Sequence, residues 1–124
     1  MNNFLECKEL YKYTPKLGLP YMGSKRKIAQ QLVDFILKEN PHAEYVYDLF
    51  GGGGAISFDF IQRPQIKKVF YNELNTGIVE LLKKIKTEKV TDPKFFEFID
   101  KETFNKHKYD QDWFGGFVKS CYSF

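Results

Sequence analysis

Cysteine, histidine and adjacent prolines are scarce or missing in this sequence, and each shortage excludes a class of protein. The only cysteines, Cys7 and Cys121, stand near opposite ends of the chain and fit no CxxC or metal-ligand spacing. His42 and His107 are equally isolated. We therefore expect two reduced thiols, no disulfide framework and no metal site.

Long hydrophobic runs are also missing, and so is a strong charge of either sign. No stretch approaches the length of a membrane span, and the polar start MNNFLECKELYKY is not a signal peptide. These features predict a soluble, cytoplasmic protein. The formal net charge of +3 neither requires nor excludes a nucleic-acid partner.

The apolar content of the chain is sufficient for one folded domain. Of 124 residues, 43% are hydrophobic and 18% aromatic, which predicts a globular protein with a single core. The segment GSKRKIAQQLVDFILKENP predicts a first helix, with Ser24 as its N-cap and a stop at Asn40-Pro41. Apolar residues at helical spacing predict its buried stripe: Ile28, Leu32, Phe35 and Ile36.

Strand and helix patterns then alternate along the chain. A short, mostly buried strand is predicted in AEYVYDLF, a helix in AISFDFIQ, a second strand in IKKVFY and a helix in TGIVELLKKIK. The last of these helices is predicted to place Ile78, Leu81, Leu82 and Ile85 on one face. This alternation is typical of an α/β fold with a parallel sheet flanked by helices.

The composition changes near Glu88, where the chain becomes richer in aromatic residues. The segment TDPKFFEFIDKETF predicts a helix start at Asp92, with Pro93 behind it. The final segment, DQDWFGGFVKSCYSF, is strongly aromatic. We therefore divide the chain into residues 1–87 and a second, irregular or helical subregion of residues 88–124.

Four consecutive glycines, Gly51 to Gly54, stand between the first predicted strand and the helix after it. Missing Cβ atoms let a loop backbone lie against a ligand, and a helix N-terminus offers free N–H groups. The next strand leads to Glu73, 19 residues beyond Gly54. A carboxylate there can accept hydrogen bonds from the hydroxyls of an adenosine ribose. The pattern indicates a nucleoside-containing cofactor.

Other interpretations of the glycines stay open on the pattern alone. They can mark a flexible turn only, with Glu73 as an exposed charge. A dinucleotide-binding fold is a second alternative, although Ile56 and Ser57 stand where GxGxxG requires its last glycine. A P-loop is excluded because the sequence has no GxxxxGK[ST].

Three short segments resemble, in this order, the landmarks of Dam-type, or D12 class, DNA adenine-N6 methyltransferases. They are YMGSK (Tyr21 to Lys25), DLFGGGG (Asp48 to Gly54) and YNELN (Tyr71 to Asn75). The resemblance covers about residues 18 to 86. It implies a partial Rossmann-like fold that binds S-adenosylmethionine.

The resemblance also implies a set of cofactor-binding residues. Lys25, expected at a helix start, would neutralise the carboxylate of the cofactor with help from the helix dipole. Phe50 would cover an apolar face of the ligand, and Glu73 would hold the ribose. The whole set is Tyr21, Gly23, Lys25, Asp48, Phe50, Gly51, Gly52, Gly53, Gly54, Glu73, Leu74 and Asn75.

Two positions depart from the family pattern. Leu49 replaces the proline that usually precedes the loop phenylalanine, and Glu73 replaces the commoner aspartate. The first change leaves the turn less rigid, and the second lengthens the acidic side chain by one methylene.

The catalytic tetrapeptide of the family, [DN]-P-P-[YFW], has no counterpart in the sequence. The tetrapeptide accepts hydrogen bonds from the adenine amine and stacks on the flipped base. None of the five prolines is adjacent to another. We therefore expect no catalytic residue here and interpret the chain as a truncated, N-terminal portion of a methyltransferase from a restriction–modification or phage setting. It would end inside the target-recognition region.

These expectations also bear on partners. Double-stranded DNA is expected to bind weakly, because much of the recognition region would be missing. An unpaired strand edge and an exposed aromatic tail around Phe114, Phe117 and Tyr122 would favour self-association or complementation by a separate polypeptide. Two other functions stay open: a non-catalytic nucleic-acid-binding or cofactor-binding remnant, and an unrelated nucleotide-binding α/β domain.

Overall fold

The computed structural model describes residues 17–123. Residues 1–16, which include Cys7, and residue 124 lie outside the described part. The helices and strands in chain order are α1 (Ala29–Glu39), β1 (Tyr45–Asp48), α2 (Ala55–Ile61), β2 (Lys68–Tyr71), α3 (Thr76–Glu88), a 3-10 helix (Pro93–Phe96), α4 (Lys101–His107) and α5 (Trp113–Cys121). None of the helices between residues 17 and 123 is long and apolar enough to cross a membrane.

Strands β1 and β2 form a parallel pair, with α2 as the crossover between them. The register runs from Tyr45 opposite Lys68 to Asp48 opposite Tyr71, so both strands end at the same edge. The predicted alternation of strands and helices and the parallel pairing are thus confirmed. Because the described sheet has two strands, a Rossmann-like arrangement stays a proposal.

The prediction that the first strand is mostly buried is wrong. Exposure alternates along β1, and Tyr47 retains 68% of its accessible surface. One face of the sheet carries Val46 and Val69, which pack on the core of α1 and α2. The other face carries Tyr47, whose ring stacks on Phe70 at a centroid distance of 4.5 Å. The strand is therefore covered on one face, as in a half-buried sheet.

Helix α1 begins later than predicted, and Ser24 is not its cap. Two successive turns precede it, closed by hydrogen bonds from Ser24 N to the Tyr21 carbonyl and from Ile28 N to the Lys25 carbonyl. The residue before the helix is Ile28, which provides no side-chain cap. Gly23 has a φ of +76°, which directs the chain through the first turn instead of into a helix.

The buried face of α1 is shifted by one position from the predicted stripe. Ala29 and Val33 are buried, whereas Ile28, Leu32 and Phe35 are exposed. Of the four predicted residues, Ile36 is the one that packs against the core formed by Val33, Phe60 and Ile66. Both stripes have helical spacing, so the choice between them depends on where α2 and the sheet contact α1.

Helix α3 is close to its prediction. Ile78 and Leu81 are fully buried, and Leu82 and Ile85 are partly buried on the same side. The side chain of Asn75 caps the helix by accepting a hydrogen bond from the backbone N–H of Ile78.

The subregion after Glu88 consists of short capped helices, of which α5 packs onto α3 and α4 packs onto α5. Asp92 accepts a hydrogen bond from Lys94 N at the start of the 3-10 helix, as its position before Pro93 predicts. Asp100 and Asp112 cap α4 and α5 in the same way. These contacts lower the pKa values of Asp92 and Asp100, chiefly because backbone N–H groups stabilise the carboxylates.

The expected exposed aromatic tail is not observed. Phe114 is only 8% exposed and joins Ile99 and Val118 in a second core cluster. Helix α5 lies against α3, where an added Cβ at Gly116 would be 2.0 Å from the Gly77 carbonyl oxygen. Two glycines thus permit backbone contact between the helices, and the tail folds against α3. The division between residues 87 and 88 stays a proposal.

Candidate functional site

The carboxyl ends of the two strands open into a cavity of about 210 Å³. Its walls come from four parts of the chain: the turns before α1, the end of β1 with the glycine loop, the start of α2, and the turn after β2. The predicted site residues that line it are Tyr21, Gly23, Lys25, Asp48, Phe50, Gly51, Gly52, Gly53 and Glu73. Gly54, Leu74 and Asn75 belong to the predicted set but not to the lining.

Part of the glycine run is required by contacts within the chain itself. An added Cβ at Gly51 would lie 2.1 Å from the ring of Tyr71, and one at Gly53 would lie 2.5 Å from the carbonyl oxygen of Leu19. The backbone N–H of Leu19 also donates to the Gly53 carbonyl at 2.7 Å. The chain before α1 therefore lies directly against the loop, which small residues alone permit.

Glu73 is held in a fixed position beside the loop. Its Oε2 accepts a hydrogen bond from Gly52 N at 2.8 Å, and its Oε1 accepts one from Asn75 N at 2.9 Å. A carboxylate has about four lone-pair sites, so each oxygen can still accept one more hydrogen bond. Glu73 thus both organises the loop and presents acceptor capacity to the cavity.

Lys25 lines the cavity, but not at a helix start. Its ammonium donates to the Gly23 carbonyl at 2.8 Å, and α1 begins four residues later, at Ala29. The expected help from the helix dipole is therefore wrong, because that effect is confined to the first turn. The side chain still supplies a positive charge to the cavity wall.

Phe50 and Leu74 are both solvent-exposed, yet their surroundings differ. Phe50 is 92% exposed and lines the cavity, so its ring is free to cover a ligand. Leu74 is 95% exposed and does not line it. Asn75 is occupied as the cap of α3.

Two residues important to the site geometry, Ser57 and Tyr71, were not identified as site residues from the sequence. Ser57 is buried in the first turn of α2 and donates to Asp48 Oδ2 at 2.6 Å, which fixes the carboxylate at the end of β1. Tyr71 donates its hydroxyl to the Gly52 carbonyl at 2.5 Å. Its pKa is raised by burial and by the nearby carboxylates of Glu73 and Asp48. Ser57 belongs to none of the three motifs. Tyr71 is the first residue of YNELN, but that motif does not reveal its contact with Gly52, 19 positions away along the chain.

Comparison with known proteins identifies the family. The family model for D12 class N6 adenine-specific DNA methyltransferases matches residues 21–114, which is 94 of the 124 residues. The match includes the 3-10 helix, α4 and the first two residues of α5, and it is longer than the resemblance read from the three motifs. Comparisons with curated proteins and with solved structures gave no match. With its matching segment extending from the turns before α1 into α5, the chain belongs to the D12 class N6 adenine-specific DNA methyltransferase family.

Proposed function

We propose that this chain is the S-adenosylmethionine-binding part of a site-specific DNA adenine-N6 methyltransferase. The cofactor would occupy the cavity at the carboxyl ends of β1 and β2. It supplies an activated methyl group on a sulfonium centre. The position follows the general rule that ligands of open α/β sheets bind beyond the carboxyl ends of the strands.

The single observation that carries the proposal is the arrangement of Glu73. Its two oxygens are oriented by backbone N–H groups and keep acceptor capacity for two further hydrogen bonds. A ribose presents two neighbouring hydroxyls, which match this capacity. The glycine loop beside it leaves no side chain to obstruct an approaching sugar.

The other lining residues fit the remaining parts of the cofactor. Lys25 offers a cation to the amino-acid carboxylate, and Phe50 offers an aromatic face to the adenine. Asp48, held by Ser57, provides a carboxylate that can accept from the cofactor's ammonium group. The chemistry of the cavity therefore fits a ligand that carries a carboxylate, an ammonium, a ribose and a base.

Methyl transfer itself requires groups from outside this sequence. No two prolines are adjacent, so the catalytic tetrapeptide is not among the 124 residues. We propose that a separate polypeptide carrying that motif, together with double-stranded DNA, completes the active enzyme. One available docking position is the outer edge of β1, which, like the outer edge of β2, has no strand partner within residues 17–123.

Isothermal titration calorimetry with S-adenosylmethionine and S-adenosylhomocysteine tests cofactor binding. Phe50→Ala is the informative variant, because the exposed ring can be removed without disturbing the core. Loss of one aromatic stacking contact should raise Kd about 3- to 10-fold. The matched control is Phe98→Ala, which removes a ring that is 89% exposed and does not line the cavity.

Three results would contradict the proposal. The first is no detectable heat with either sulfur compound from a folded parent chain. The second is equal affinity of the parent and the Phe50→Ala variant. The third is binding of a nicotinamide dinucleotide in preference to both, which would favour an unrelated nucleotide-binding domain.

A further inference from the structure

Both backbone polar groups of Gly52, at the centre of the glycine loop, are bound by side chains from the end of β2. The Gly52 N–H donates to Glu73 Oε2 at 2.8 Å, and the Gly52 carbonyl accepts from the Tyr71 hydroxyl at 2.5 Å. Tyr71 is the last residue of β2, and Glu73 stands two positions later. Residues two apart in an extended chain point to the same side, which explains how both reach one loop residue.

The loop is shaped to receive these contacts. Gly52 has a φ of +52°, a left-handed conformation that the two hydrogen bonds hold in place. At Gly51, the ring of Tyr71 occupies the space that a Cβ would need. A further hydrogen bond joins Gly51 N to the Asn72 carbonyl at 2.8 Å. Every residue from Tyr71 to Glu73 thus contacts the loop.

We propose that Tyr71 is a positioning residue of the cofactor cavity, which fixes the Gly52 carbonyl while Glu73 fixes the Gly52 amide. The inference rests on the proposed cofactor site and adds a residue to it that does not itself contact the ligand. Hydrogen bonds to both the N–H and the carbonyl of Gly52 fix the loop before a ligand arrives. The loop is then preorganised, so ligand binding loses less conformational entropy. Burial and the two nearby carboxylates raise the pKa of Tyr71, so its hydroxyl also stays protonated, and a donor, at mildly alkaline pH.

The test is Tyr71→Phe, which removes the hydroxyl and keeps the ring against Gly51. One hydrogen bond is lost, so Kd for S-adenosylhomocysteine should rise about 3- to 10-fold. Amide exchange measured by NMR without any ligand should accelerate at Gly52 by a similar factor. The matched control is Tyr45→Phe at the opposite end of β1, where both quantities should equal those of the parent.

A second variant tests the contact of the Tyr71 ring separately from that of its hydroxyl. Gly51→Ala keeps the tyrosine hydroxyl but displaces the ring, and it should accelerate exchange at the same amide. Unchanged exchange at Gly52 in Tyr71→Phe would overturn the inference, whether or not the parent binds cofactor. An unchanged Kd in Tyr71→Phe would also overturn it. Failure of the parent to bind would instead contradict the proposed function, while the exchange data would still decide the role of Tyr71.

Discussion

Replacing Glu73 with glutamine should destabilise the folded chain as well as weaken cofactor binding. The carboxylate accepts from two backbone donors, Gly52 N and Asn75 N, through different oxygens. Glutamine has one oxygen and one NH₂ group. Whichever way its amide is oriented, one backbone N–H must face another donor.

The size of the effect follows from those two contacts. A hydrogen bond to a charged group contributes about 1.5–3 kcal/mol, and a partner left unsatisfied costs about 1–3 kcal/mol when buried. Glu73 is only partly buried, and water can replace some of the lost contact, so we expect Glu73→Gln to lower the free energy of unfolding by about 1–2 kcal/mol. That corresponds to a fall in Tm of roughly 3–10 °C for a domain of this size.

Urea denaturation followed by circular dichroism measures this change. The matched control is Glu80→Gln on the surface of α3, where the carboxylate pairs with Lys83 at 2.8 Å in an exposed i,i+3 bridge. Such a bridge contributes about 0–1 kcal/mol, so the control should differ little from the parent. If Glu73→Gln unfolds at the same urea concentration as Glu80→Gln, the two hydrogen bonds do not hold the loop, and the reasoning about Glu73 is refuted.

Four further outcomes are expected. Gly116→Ala should lower the free energy of unfolding by about 2–4 kcal/mol in the same urea assay, because a Cβ would overlap the Gly77 carbonyl. A decrease below about 0.5 kcal/mol would contradict the backbone contact between α3 and α5. The chain alone should transfer no methyl group to duplex DNA in a labelled-methyl assay, whereas reproducible N6-methyladenine would reveal a catalytic group outside the family motif. DNA binding should be weak and should fall steeply with salt, since phosphate attraction is the main available contribution, and a tight, sequence-selective complex at high salt would oppose this. Light scattering at micromolar concentration should give a mass above that of a monomer, because the outer edge of Tyr45–Asp48 has no described strand partner. A stable monomer would contradict self-association through this edge.

The sequence by itself determined the order and type of the main elements. Hydrophobic periodicity identified α3 and its buried residues Ile78 and Leu81, and the position of Asp92 before a proline identified a helix start. These features depend on residues within one or two turns of one another. The motif order and the acid after β2 likewise indicated the family that comparison then showed.

Tertiary contacts decided between alternatives that the spacing of residues along the chain cannot distinguish. In α1, stripes beginning at Ile28 or Ala29 have the same period, and the packing of Val33 on Phe60 and Ile66 selects the second. The aromatic residues of α5 were expected to be exposed, but Gly77 and Gly116 let this helix approach α3, and Phe114 is buried with Ile99 and Val118 in the second core cluster. A sequence pattern contains no information on such distant partners.

The glycine loop shows most clearly which features depend on the local sequence and which depend on tertiary contacts. The sequence predicted that four glycines and an acid form a cofactor site, and the structure shows that the parallel register brings the ends of β1 and β2 together. Tyr71 therefore reaches Gly52 across 19 positions of chain, and its ring occupies the space beside Gly51. Local composition determined that the loop would be small and permissive, whereas only the pairing of the strands decided which side chains hold it, because those contacts join residues far apart in sequence.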